Sequence, residues 1–527
     1  MPARSRRRFA PCTGVLALVA GAALSAAQTS SSAIDAAFAQ FFAARSADEQ
    51  AAAIDRVVAT GIGVEEAAAR LRNGRTYARD VARGVVERSY RSASGEYFYT
   101  LDVPPAYDPA HAYQVRIQLH GGVGRIDSNV PPRTGSAGRL AGAEQIYVLP
   151  YAWKDAPWWS RRQLENLRAI LDAVKRTYNV DENRVVVAGV SDGGTGAYYV
   201  AMRDTTPYAS FLPLNGHLRV LENETAESDG DLYPNNLVNK PLFVVNGGRD
   251  PMYPTSVVDP VVAHLKSGGV DVDYRPQPSA GHDTSWWPMI GGAFEQFVAA
   301  HRRQALPDVI TWESGAADVP ARAHWLVIDR LAERQNGEPR FADVNALPEA
   351  AAPDFGIRAS GTTITRVLKG SNAEQLGLRD GDVVAAINNQ QVGEGSDVAD
   401  ALRSFPSGRP LLLNVVRGGE PVRLTGRYAP GIVGDGLMFS RSHASGRVDL
   451  KRTGNRVEVR CSGVAAFSLL LSPDQFDLNR SVAVVVNGRT VIDGVVKKDL
   501  RTLLTWAARD NDRTMLFEAA VTVTVAR

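Results

Sequence analysis

The stretch that most constrains this chain is Gly189-Val-Ser-Asp-Gly-Gly194, set between the apolar run Val185–Ala188 and the helix-patterned segment Ala197–Met202. The apolar run reads as a buried strand and the segment after it as a helix. A chain that passes from strand to helix through Ser191 must turn very tightly, and a side chain at position 189 or 193 would strike backbone. Glycine at both positions removes the obstacle. The Gly-x-Ser-x-Gly spacing in this setting marks a nucleophile elbow, with the serine hydroxyl standing clear at the end of a parallel sheet.

A serine hydroxyl attacks a carbonyl only when a base takes its proton, and the base needs a carboxylate to fix its tautomer. Asp250 follows the strand-like Leu242–Val245 on a loop, Asn246-Gly-Gly-Arg-Asp250, at a strand's carboxyl end. A turn or helix cap before Pro251 is its other reading, and Asp259 is the rival carboxylate. His282 stands in Ala280-Gly-His-Asp283, after the strand-like Val270–Tyr274 and before a helix carrying Phe294, Phe297 and Val298. Among eight histidines it alone combines a preceding glycine, a loop setting and the order Ser-Asp-His. His264 falls on a helix and His301 near a helix end.

His120-Gly-Gly122 directly follows the strand-like Val115–Leu119. The amide of Gly122, with that of Asp192, is the expected pair of donors for an oxyanion, whereas His120 itself reads as structural. Trp286 is the favoured candidate for a substrate-binding wall, ahead of Trp153, Trp158, Trp159 and Trp287. Core packing is the competing explanation for each of them.

At 527 residues the chain exceeds one core, and three or four units are expected. Arg4–Arg8, the apolar Val15–Leu24 and the small residues Ser25-Ala-Ala27 form the pattern of a signal peptide, residues 1–27, so a secreted or periplasmic protein is expected. That apolar stretch is short for a membrane span and no run of about twenty apolar residues follows it, so no stable membrane insertion is expected. The formal net charge of +2 calls for no nucleic-acid partner. Of Cys12 and Cys461 only the second would survive cleavage, which excludes an intramolecular disulfide.

A helical segment is expected over 28–94. Over 95–303 strand-like and helical runs alternate, which demands a mostly parallel sheet with helices on both faces. Residues 304–350 read as a linker or β extension. A β-rich accessory domain is expected over 429–527, with a turn at Asn487-Gly488 and a short helix at Leu500–Ala507.

Tyr99-Thr-Leu-Asp-Val-Pro-Pro-Ala-Tyr-Asp108, His120-Gly-Gly122, Ser191-Asp-Gly-Gly194, Asp250 and His282 together resemble the esterase branch of the α/β-hydrolases, including polyhydroxyalkanoate depolymerase and feruloyl esterase types. The resemblance covers about 95–303 and implies ester hydrolysis through an acyl-serine, with no metal and no cofactor. Prolyl-oligopeptidase-type peptidases share a similar elbow and triad order, but this chain lacks the propeller they usually carry. Phe355-Gly-Ile357, the run Ile364–Val384 and Ile387-Asn388 resemble a bacterial PDZ domain, expected over 351–428. That resemblance implies a polypeptide ligand whose terminal carboxylate is held by the amides of Phe355, Gly356 and Ile357. Three readings therefore stand: an esterase with accessory domains, a peptidase, and an inactive hydrolase core in a PDZ scaffold.

Overall fold

The structure, a computed structural model, describes residues 31–525 apart from short stretches, the longest being 128–139, 348–354 and 429–436. The expected signal segment, Cys12 included, lies outside the described residues. The described residues begin with three helices: α1 over 31–43, α2 (Ala47–Ala59) and α3 (Val64–Asn73). A capping box starts α2. Ser46 Oγ accepts from the Glu49 amide at 3.2 Å, and Glu49 Oε2 accepts from the Ser46 amide at 3.1 Å.

Eight strands form the large sheet: β1 (Gly84–Ser92), β2 (Gly95–Val103), β3 (Tyr113–Leu119), β4 (Ile146–Pro150), β5 (Val180–Val190), β6 (Ser210–Leu214), β7 (Leu242–Val244) and β8 (Val272–Tyr274). Their spatial order is β1-β2-β4-β3-β5-β6-β7-β8. β1 and β2 run antiparallel to their neighbours, and every pairing from β4 to β8 is parallel. Helices α4 (Arg161–Thr177), α5 (Asp192–Arg203), α6 (Thr255–Ser267) and α7 (Trp287–Ala300) connect the strands. Two apolar layers flank the sheet, one with Ile117, Val187, Ile170 and Val200, the other with Val186, Leu212, Phe243 and Phe294. This is the expected α/β-hydrolase fold. It starts earlier than expected, because 84–92 is a strand paired along its whole length with β2. As an edge strand it leaves most side chains in water, so it carries no apolar alternation to announce it.

Within 304–350, read as a linker or β extension, lie strands β9 (Val309–Gly315), β10 (Arg322–Ala323) and β11 (Leu326–Leu331). After them comes a smaller sheet of β12 (Ile357–Ser360), β13 (Thr363–Val367), β14 (Val383–Ile387), β15 (Gln390–Gln391), β16 (Pro410–Arg417) and β17 (Glu420–Arg427), with helices α8 (Asn372–Gln375) and α9 (Val398–Arg403). Strands β18 (Ser445–Thr453), β19 (Arg456–Ser462), β20 (Val464–Leu471), β21 (Ser481–Val486), β22 (Arg489–Val495) and β23 (Ala519–Thr524) complete the chain, with α10 (Leu500–Asp510) before the last. β9 pairs with β18, and β11 with β20. Residues 309–331 and 445–524 thus share two sheets around one core that includes Trp312, Trp325, Val459 and Phe467. The domain between them is an insertion.

Phe355 and Tyr428 stack at the two ends of that insertion, ring centroids 5.4 Å apart, so its entry and exit meet. Excising 355–428 and joining the ends through a short Gly/Ser linker is therefore expected to leave a folded chain with a Tm within about 5 °C of the parent, measured by calorimetry. Loss of cooperative unfolding would contradict this. Ile54, Val57 and Leu71 of the N-terminal helices pack on Leu503 and Leu504 of α10. The helical segment is thus anchored on the C-terminal domain.

Candidate active site

Ser191 sits between β5 and α5 with φ 58° and ψ −121°. A Cβ on Gly189 would collide with the Gly193 carbonyl, and one on Gly193 with the Leu119 carbonyl, so both glycines are required by backbone contact. The Ser191 amide donates to the Leu214 carbonyl at 2.9 Å, fixing the elbow to the end of β6.

Asp250, on the loop after β7, is 2% exposed. Its Oδ1 accepts from the amides of Met252 (2.7 Å) and Tyr253 (2.9 Å), and its Oδ2 lies 2.7 Å from His282 Nδ1. His282 Nε2 lies 2.8 Å from Ser191 Oγ. An ionised carboxylate only accepts, so Nδ1 carries the proton and Nε2 is left to accept from the serine. Ser191, His282 and Asp250 thus form one hydrogen-bonded relay, built from three separate strand ends. Asp259, the rival carboxylate, instead accepts from the Tyr274 hydroxyl at 2.7 Å.

Gly121 abuts the elbow: a Cβ there would lie 2.9 Å from that of Ser191. Gly122 adopts φ 70°, and the next amide, of Val123, donates to Asp192 Oδ2 at 2.7 Å. The Asp192 side chain therefore pins the loop that carries Gly122. Its own amide belongs to the first turn of α5, where N–H groups have no partner within the helix.

His120 is structural, as expected. Its Nε2 accepts from the Ala152 amide at 3.1 Å, which makes Nδ1 the donor to the Gly121 carbonyl at 2.9 Å. Burial holds this imidazole below its usual range, and burial does the same more strongly at His324. Both are native in the neutral form. Below about pH 6.5 the unfolded chain takes up protons that the folded chain refuses. Stability is therefore expected to be full above that pH and to fall on acidification, in urea titrations from pH 7 to 5. A flat profile would contradict it.

Trp286 requires correction. It is 1% exposed and lies in the apolar layer with Phe243, Ile290 and Phe294, at the start of α7. Core packing, not a substrate wall, explains it. Trp158 is likewise buried and donates from Nε1 to the His120 carbonyl at 2.8 Å. One residue with no motif to announce it borders the relay, and a second stands behind it. The Tyr253 ring meets that of His282 edge-on at 5.7 Å, and the His217 ring faces Tyr253 at 5.9 Å.

In the inserted domain Phe355 is buried, and the carbonyls of Phe355 and Gly356 accept from Ala373 and Leu368. Gly356 has φ 90°, and Ile357 opens β12, an edge strand of its sheet. Residues 363–417 match the family model described as a PDZ domain. The insertion is a PDZ domain. A probable periplasmic serine endoprotease DegP-like of Bartonella henselae is 24% identical over 185 residues, covering 33% of this chain and 37% of that protein. Serine protease HTRA1 of Xenopus tropicalis is 35% identical over 72 residues, 14% of this chain and 15% of that protein. The chain thus spans well under half the length of these curated relatives. Among solved structures, a ferulic acid esterase is similar at 17% identity and a TM-score of 0.33, covering 41% of this chain and 97% of that one.

Among the described residues no helix is long and apolar enough to cross a membrane, and no group of His, Cys, Asp and Glu could hold a metal ion.

Proposed function

We propose that this protein is an exported serine hydrolase that cleaves carboxylic esters through an acyl-serine intermediate. The observation that carries the reading is the relay of Ser191, His282 and Asp250, at 2.8 and 2.7 Å. In this reading Ser191 Oγ attacks the ester carbonyl as His282 Nε2 takes its proton, and Asp250 balances the imidazolium. The amides of Gly122 and Asp192 receive the oxyanion. His282 then returns the proton to the departing alcohol, and water, deprotonated by the same imidazole, releases the acid. No step needs a metal or cofactor. The edge strand of the PDZ domain, with the amides of Phe355, Gly356 and Ile357 at its start, is the proposed seat of a polypeptide ligand.

The test is a panel of short and long p-nitrophenyl esters beside fluorogenic peptides, with Ser191→Ala as the blank. Serine-dependent ester turnover supports the reading. Peptide turnover alone would replace the ester with an amide substrate, and no serine-dependent turnover would leave the PDZ domain as the working part.

A further inference from the structure

The relay spans three loops, and Asn215 touches two of them while its neighbour Leu214 holds the third. Asn215 directly follows β6, is fully buried, and has a left-handed backbone with φ 47°. Its amide donates to the Val245 carbonyl at 2.7 Å, at the base of the loop that carries Asp250. The carbonyl just before it, of Leu214, accepts from the Ser191 amide at 2.9 Å. Its side-chain Nδ2 donates to the carbonyl of Asp283 at 2.7 Å, in the residue directly after His282.

A left-handed residue with a side chain persists only where its surroundings over-determine it, and such positions cluster at active sites. Glycine would adopt this backbone more freely. What asparagine adds is the amide that reaches Asp283, whose carbonyl can only accept. In the loop it holds, Asp283 and Ser285 are exposed. A second buried asparagine, Asn246, reinforces the arrangement by donating from Nδ2 to the Gly216 carbonyl at 3.1 Å.

We propose that Asn215 is a positioning residue of the hydrolytic site, its side-chain amide clamping the Asp283 carbonyl so that His282 Nε2 stays within hydrogen-bond reach of Ser191. The proposal rests on reading Ser191 and His282 as catalytic. Asn215→Gly keeps the left-handed backbone available and deletes the clamp. The expected result is a Tm close to the parent, an unchanged KM for p-nitrophenyl butyrate, and a kcat lowered on the order of 10²-fold. Asn215→Asp, nearly the same shape, sets an acceptor against the Asp283 carbonyl and is expected to lose at least as much, so a poorly folding glycine variant leaves the test intact. A general packing defect would instead lower Tm with little change in kcat per folded molecule.

A second readout needs no turnover. The low-field proton resonance of the His282–Asp250 hydrogen bond is expected to be sharp in the parent and broadened in the variants. Parent-like kcat together with an unchanged resonance would overturn the proposal. An unmutated protein without Ser191-dependent turnover would sink the hydrolase reading, while the resonance would still decide whether Asn215 positions His282.

Discussion

Replacing Ser191 with alanine is expected to lower kcat for ester hydrolysis on the order of 10⁶-fold while leaving KM and the fold in place. The hydroxyl's described partner is His282 Nε2, so its removal leaves no buried group stranded elsewhere. Serine and alanine share a Cβ, so the cost of φ 58° is common to both. What disappears is the nucleophile. The amides proposed for the oxyanion would still act on a water attack, so a small residual rate over solution is consistent with the account. Steady-state and burst kinetics on p-nitrophenyl esters check it, and a loss of only tenfold would assign the chemistry to another group.

Asp250→Asn is the second large effect, a fall in kcat of about 10⁴-fold with stability nearly unchanged. The amide oxygen can still accept from Met252 and Tyr253, as Asp250 Oδ1 does at 2.7 and 2.9 Å. Its nitrogen then faces His282 Nδ1, and a donor there forces the imidazole proton to Nε2, where it can no longer accept from Ser191. Asp250→Ala also strands the two turn amides and is expected to cost about 1–3 kcal/mol of stability besides. Activity in the asparagine variant within tenfold of the parent would show that the carboxylate only braces its loop.

The relay was legible in the sequence because each member imposes a local requirement. The elbow needs glycine at 189 and 193, and the acid and the base need loops at strand ends. Trp286 was misread because a tryptophan between a loop and an apolar helix looks the same whether it lines a pocket or fills a core, and here it is 1% exposed. The pairing of β9 with β18 and of β11 with β20 reaches across an inserted domain. No local pattern encodes such a register, so the sequence leaves 304–350 open between a linker and a β extension. Asn215-Gly216 resembles an ordinary turn, and its clamp on Asp283 depends on a partner 68 residues away. Tyr253 follows Asp250 so closely that only the folded loop shows its ring against His282.

The most direct test of the central claim is to treat the protein with a fluorophosphonate and map the adduct by peptide mass spectrometry. The account predicts stoichiometric labelling of the peptide containing Ser191, absent in Ser191→Ala and slowed in Asp250→Asn. A folded protein that stays unlabelled, or that carries the adduct on another residue, would contradict it.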